Sequence, residues 1–438
     1  MAWSRTTWIL LGVILALALI VRGGAAWWWQ ERLPAGQPYA FPDSEGYWEL
    51  ARTIYRGQDY EYVGYRVFRT PGYPALLAGL FAVTGDDVSP IAARWLGGLI
   101  GTLGVALVAG LAGRLFGETA AIVAAAIAAF EPGTIAMSIL ILSEGTFTTL
   151  MLGQLWLWAE ALPCNYLPAR AGLGFLSGIV AALACLVRPS FLLFPPFAIA
   201  LMLVFSTQRL RQLEIALPLL IGLALGMSPW WVRNYEVAGQ FVPTSLQVGA
   251  SLYDGWNPEA DGSSRMDFTR EFRAEQGRID QAEGSPPQEY EARLDRRMRD
   301  ASLTWAQEHP LGVVQLAGVK FLRMWSPWAN EGGLRSWPLL VISFATYVPL
   351  LGLALCGAWR WASRDWPYAL LVLPAIYFTL LHMIFVASLR YRLPPMMPLE
   401  ILAAGFIVGW WWGPTATEEP TNLASGVSVS PNGRAEPS

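Results

Sequence analysis

Lysine is almost missing from this chain of 438 residues: it occurs once, at Lys320. Histidine occurs twice (His309, His382), cysteine three times (Cys164, Cys185, Cys356), and charged residues of all kinds make up only 14%. Each scarcity excludes something. With no basic tract and a formal net charge of -3, nothing here neutralises a row of phosphates, so nucleic acid is excluded as a partner. The two histidines lie far apart with no flanking ligand cluster, which argues against zinc, and no metal site is assigned. A divalent cation held by Asp43, Glu45 or Glu144 stays open. The cysteines fall in or beside apolar stretches and read as small hydrophobes, not as ligands or disulfide partners. No glycine-rich phosphate loop precedes a helix, so neither ATP nor a dinucleotide cofactor is indicated.

What is abundant is apolar: 54% of the residues are hydrophobic and 22 are tryptophan, a balance that a lipid-facing surface requires and a soluble one does not tolerate. A run of about 20 apolar residues crosses a bilayer as a helix. About ten such runs are expected, near 7–29, 91–113, 118–136, 138–160, 171–187, 190–206, 214–232, 337–358, 367–387 and 395–412. The first resembles a signal peptide in following Arg5, but Trp27, Trp28 and Trp29 extend it into an aromatic belt, so it reads as a retained anchor. The run at 71–84 is short and opened by two prolines, which predicts a half-buried or interfacial helix.

Orientation follows from the short loops, because cytoplasmic loops retain arginine. An inside N-terminus puts Arg5, Arg114, Arg170, Arg209, Arg211, Arg360 and Arg364 in the cytoplasm. It sends the polar segments 30–90 and 233–336 outside, and leaves a Pro-, Ser- and Thr-rich tail, 413–438, inside and disordered. The expectation is an all-α, multi-pass protein of the inner (cytoplasmic) membrane. Its single transmembrane domain, 1–412, would carry outer-face loops and interfacial helices, with the functional surface on the periplasmic or extracellular side.

Five arginines break the loop rule by sitting at outer helix ends: Arg69, Arg188, Arg233, Arg390 and Arg392. Any one of them alone reads as snorkelling to the headgroups. Five on one leaflet, four of them beside proline or tyrosine, favour a cationic pocket, and a lipid-linked phosphate lies at that depth. Asp43 and Glu45, in the turn-favouring PDSEGY, are either solvated loop charges or carboxylates placed to deprotonate a nucleophile beside that phosphate. Glu144, in LSEG within an apolar run, reads equally as a functional acid or as a structural partner of Arg188. Farther on, 287–308 is densely charged with an apolar face, and 311–325 is an apolar, weakly basic stretch suited to the membrane surface.

The ordered phrases PDSEGYWELA, FRTPGYP, LSEG, VRPS, PWWVRNYEVAG, LYDGWNPEADG, EHPLGVV and LRYRLPP resemble bacterial glycosyltransferase family 39-like proteins. These belong to the GT-C superfamily, with protein O-mannosyltransferases and aminoarabinose transferases. The resemblance runs over roughly residues 8–412. It implies transfer of a sugar, hexosyl or pentosyl, from a polyprenyl-phosphate carrier to an acceptor at the outer face, with inversion. It further implies Asp43 as catalytic base with Glu45 assisting, the five outer arginines on the carrier phosphate, and Tyr73, Tyr235 and Asn257 around the sugar. Where relatives read GNNP this chain has GWNP, so Trp256 replaces an asparagine and offers an aromatic face to a sugar ring. No long C-terminal soluble domain is expected, so recognition of a protein acceptor is not supported, and the acceptor, whether glycan, lipid or protein, stays open. The competing reading is a transporter or flippase for a lipid-linked or anionic solute, though no inverted repeat with paired broken helices is evident.

Overall fold

The computed structural model describes residues 3–34, 36–328 and 337–411; the expected tail, 413–438, lies outside them, as does the last part of the outer segment. The described chain is helical. Helices α1 (Arg5–Gln30), α4 (Ile91–Phe116), α8 (Leu167–Val187), α10 (Arg209–Ala238), α15 (Trp337–Trp361), α16 (Trp366–Ile384) and α17 (Leu389–Trp411) are the seven among the described residues long and apolar enough to cross a membrane. An eighth arises if α5 (Glu118–Phe130) and α6 (Pro132–Ile139), bent by 59° at their junction, count as one span. The remaining two of the ten expected spans are also helical. However, α7 (Ser143–Ala161) carries Glu144, Gln154 and Glu160, and α9 (Phe194–Phe205), with its short Pro189–Phe191 lead-in, is cut short by prolines. Helix α3 (Gly72–Thr84) has 13 residues. At 1.5 Å per residue it reaches roughly 20 Å, short of the ~30 Å hydrocarbon core.

Lipid-facing character is visible in the side chains. Leu217, Ile221 and Leu225, one turn apart on α10, are each more than half exposed, a stripe a water-facing helix would not present. On its other face α10 meets α8 at backbone contact, because Gly178 and Gly222 lack a Cβ: one built there would lie 2.0 Å from the Leu219 carbonyl oxygen and 2.2 Å from that of Phe175. The three prolines inside α17 lie buried where it packs against α4, α5, α7, α15 and α16.

The arginines assigned to the inner side gather at one end of the bundle. Arg114 pairs with Glu160 at 3.0 Å, Arg170 with Glu214 at 2.9 Å, and Arg211 donates to the Leu162 carbonyl at 2.9 Å. Two arginines inside apolar runs do structural work the sequence reading did not assign. Arg22, fully buried, donates to the carbonyls of Ala128 and Ala129, each at 3.0 Å, and so satisfies groups orphaned where Pro132 breaks α5 from α6. Arg94 ties the Ile139 carbonyl to that of Pro38, at 3.1 and 3.0 Å.

At the opposite end sit α2 (Pro42–Tyr55), which pairs with α3, and, from the segment expected outside, α11 (Val248–Gly255), α12 (Thr269–Glu283), α13 (Tyr290–Glu308) and α14 (Pro310–Met324). This segment grips the bundle backbone. Ala387 donates to the Gly262 carbonyl at 3.1 Å, and Lys320 to those of Gly255 and Ile384 at 2.9 and 2.7 Å.

Candidate active site

Each charged group of the site is delivered by a helix terminus. Pro42 starts α2, suiting the first helical position, and Asp43 and Glu45 follow in the first turn, where carboxylates favour the helix dipole. Arg69 lies in the turn that Pro71 closes before α3. Arg188 caps the C-terminus of α8 just ahead of Pro189, and Arg390 opens α17. Pro71, two residues after Arg69, and Pro189, directly after Arg188, mark helix ends that hold these two arginines, while Arg390 enters from the start of α17.

They meet as an alternating chain of charge. Arg69 Nη2 lies 2.8 Å from Asp43 Oδ1, and Asp43 Oδ2 lies 3.2 Å from Arg390 Nη1. Arg390 Nε lies 3.5 Å from Glu144 Oε1, which lies 2.8 Å from Arg188 Nη1. Aromatic side chains line the network. Arg69 stands 4.6 Å from the Tyr47 ring centroid, Arg390 donates to the Tyr391 hydroxyl at 3.0 Å, and Tyr391 stacks on His382 at 4.3 Å. Tyr73 packs edge-on against Tyr47 at 5.0 Å behind this layer. Burial pushes the Asp43 carboxyl up, but Arg69 and Arg390 together outweigh it and hold the group below the ordinary carboxylate range. It is therefore ionised at neutral pH, with two guanidiniums on it and lone pairs left over.

Asp43, Arg69, Arg390 and Tyr391 line a cavity of about 860 Å³. Met137, Leu140, Leu393 and Met396 contribute apolar wall, while Met266, Leu294 and Met298 belong to the outer segment. Arg392 also lines it, but its Nη1 is spent on the Ser326 carbonyl and its guanidinium lies 3.7 Å from the Tyr347 ring centroid. Two lining acids of α13 are likewise committed: Glu291 accepts from the backbone N–H groups of Arg66 and Val67, and Asp295 from that of Gly249.

Other residues singled out in the sequence lie elsewhere. Arg233 donates to the Arg66 and Tyr60 carbonyls at 2.7 and 3.2 Å, fastening the first outer loop to α10. Tyr235 is exposed on α10, and Glu45 is exposed on α2. Asn257 bridges the Tyr253 carbonyl and the Glu259 N–H in a tight turn, beside Trp256, whose ring centroid is 6.0 Å from Lys320 Nζ. Glu144 and Arg188 support the network from behind the cavity. Among the described residues no group of three or more His, Cys, Asp or Glu side chains converges as a metal site would need.

Two lining residues had no role in the sequence reading. Glu131 sits at the α5–α6 break, where it caps Thr134; an acid beside proline within an apolar run was the available signal. Tyr391 was visible only as the neighbour of two arginines.

The family described as dolichyl-phosphate-mannose-protein mannosyltransferase matches residues 69–232, the stretch from the first site arginine into the last two turns of α10. Among solved structures, the archaeal oligosaccharyltransferase AglB from Archaeoglobus fulgidus, in complex with an inhibitory peptide and a dolichol-phosphate, matches with a TM-score of 0.55 at 13% identity. That match covers 93% of this chain and 51% of that one. Its apo form matches with a TM-score of 0.55 at 14% identity, over 92% and 51%. ArnT from Cupriavidus metallidurans, bound to undecaprenyl phosphate, matches at 16% identity with a TM-score of 0.44, over 92% and 78%. No curated protein matches. The chain thus spans about half the length of the oligosaccharyltransferases whose membrane fold it shares, and the GT-C-like architecture expected from its motifs is present.

Proposed function

We propose that the chain is a glycosyltransferase that moves a sugar from a polyprenyl-phosphate carrier to a hydroxyl or amine acceptor at the outer face of the cytoplasmic membrane, with inversion. The observation that carries this reading is the cavity itself. It combines an ionised carboxylate, Asp43, with two guanidiniums, Arg69 and Arg390, beside apolar wall. A lipid-linked phosphate needs that combination: cations for its head and apolar surface for its tail. The likeness to proteins named for dolichyl phosphate supports the same substrate class.

In the proposed reaction the acceptor O–H or N–H gives its proton to Asp43 as the acceptor atom bonds to the anomeric carbon. The bond from that carbon to the phosphate oxygen breaks on the opposite side. Polyprenyl phosphate leaves, and the charge gathering on its oxygen is met by Arg69 and Arg390, whose attraction strengthens as the bond lengthens. Arg188 acts through Glu144 on Arg390, and is a positioning residue. Tyr391 orients the Arg390 guanidinium through its hydroxyl.

The purified chain in lipid nanodiscs, supplied with polyprenyl-phosphate sugars and candidate glycan, lipid and peptide acceptors, should release polyprenyl phosphate. Asp43→Asn should lower that rate by about 10²- to 10⁴-fold, the range of a lost general base. Transfer by Asp43→Asn at the wild-type rate would overturn the assignment.

A further inference from the structure

The two acids of the charge network differ in where they stand. Asp43 lines the cavity with its side chain 36% exposed, and each of its oxygens is held by a different arginine. Glu144 is 3% exposed, does not line the cavity, and reaches Arg390 and Arg188 from behind. Arg390 has every nitrogen engaged: Nε towards Glu144, Nη1 on Asp43 and Nη2 on Tyr391. Any anion entering the cavity to meet Arg69 and Arg390 therefore arrives on the Asp43 side of both guanidiniums. It shares them with a carboxylate of its own sign.

We infer that the two acids act with opposite sign on the carrier: Asp43 competes with the carrier phosphate for Arg69 and Arg390, whereas Glu144 holds Arg390 and Arg188 in place to receive it. This rests on the reading of the cavity as a carrier-phosphate site. It follows that the unloaded enzyme keeps its base latched between two cations. Loading the donor draws the guanidiniums towards phosphate oxygens, and the freed carboxylate then accepts the acceptor's proton. Glu144 makes the exchange possible without loss of register, because Arg390 stays tethered to it and to Tyr391 while its contact with Asp43 loosens. The donor accordingly binds before the acceptor can be deprotonated.

Two isosteric substitutions separate the roles, read by equilibrium binding of undecaprenyl phosphate to the full chain in nanodiscs, with inorganic phosphate as a parallel titrant. Asp43→Asn removes the competitor and should tighten undecaprenyl phosphate by several-fold, up to about ten-fold, the scale of part-exposed charge pairs. Glu144→Gln should weaken it by about ten-fold or more, since it leaves two part-buried guanidiniums without their shared, buried counter-charge. Inorganic phosphate should follow the same signs at lower affinity; a preference of inorganic phosphate for wild type over Asp43→Asn overturns the competition. Weaker carrier binding by Asp43→Asn makes Asp43 part of the receiving scaffold and also overturns it. Should Glu144→Gln fail to fold, the sign measured for Asp43→Asn decides alone, because Asp43 sits on a part-exposed helix. A wild-type chain that does not bind undecaprenyl phosphate overturns the carrier reading itself, whereas binding with the wrong sign overturns only this inference.

Discussion

Arg390 reaches Asp43 across 347 positions of sequence, Nη1 to Oδ2 at 3.2 Å, and so closes α2 onto α17. Because Arg390 also spans Glu144 and Tyr391, its planar fork does what a point charge cannot. Arg390→Lys should lower kcat/KM for the donor by about 10²-fold, as for a lost charge-stabilising donor. In a four-variant cycle with Asp43→Asn the double variant should lose less than the sum of the singles, as coupled residues do. Strict additivity in kcat/KM would mean that the contact carries no energy.

The acid limb of the pH profile tests the electrostatics of the same carboxylate. In the folded chain burial raises the Asp43 pKa and the fields of Arg69 and Arg390 lower it further, for a net depression. Removing one cation leaves burial less opposed. Arg69→Gln should therefore shift the acid limb of kcat/KM, which reports the free enzyme, to higher pH. An unmoved limb in Arg69→Gln would assign that limb to another group.

Backbone contact fixes the height of the arginines. A Cβ built on Gly72 would lie 2.6 Å from the Leu186 carbonyl carbon and 2.7 Å from the Val187 nitrogen, the two residues just before Arg188. Gly72→Ala must push α3 off α8 and separate Arg69 from Arg188. The cost should be about 1–3 kcal/mol of stability, typical of overpacking, seen as a lower thermal midpoint in detergent together with a raised donor KM. A variant with wild-type midpoint and KM would show that the close approach is not required.

Much of the architecture was legible because the bilayer imposes a length on apolar runs, and those runs are long here. The α5–α6 bend and the shortness of α9 were less so: both depend on proline breaking a run whose composition still looks continuous. The site was legible in part. Arg69, Arg188 and Arg390 converge with Asp43 and Glu144 as the helix-end pattern suggested. Arg392 carries the same local signature and Arg233 the same expected place near the outer end of a span, yet they spend donors on the carbonyls of Arg66, Tyr60 and Ser326. Nothing within a few residues of an arginine tells whether it will face a cavity or an orphaned carbonyl, since the choice depends on which distant segment arrives there. Arg22 makes the converse point: a charge inside an apolar run is a signal in itself, and its partners are the carbonyls freed by Pro132, more than a hundred residues away.

The chain's single lysine offers a test of the outer segment that does not depend on catalysis. Lys320 is fully buried, and its ammonium holds the carbonyls of Gly255 and Ile384, so it joins α11 to the end of α16 just ahead of Arg390. Asp254 is the acid whose field reaches it, but that carboxylate is already hydrogen-bonded to the Ser264 hydroxyl and the Arg265 N–H. Burial therefore dominates and pushes the lysine down to about 8 from 10.5. Between those two values the unfolded chain holds a proton that the folded chain has released, so the stability contributed by this group rises with pH across the window. Lys320→Met has no such proton and orphans two carbonyls, so it should be less stable throughout, and its deficit against wild type should widen from about pH 8 to about pH 10. Thermal unfolding of both proteins in one detergent across that range measures the gap. A gap that narrows as pH rises would mean that the buried amine is not paying to keep its charge, and that the outer segment is pinned by something other than Lys320.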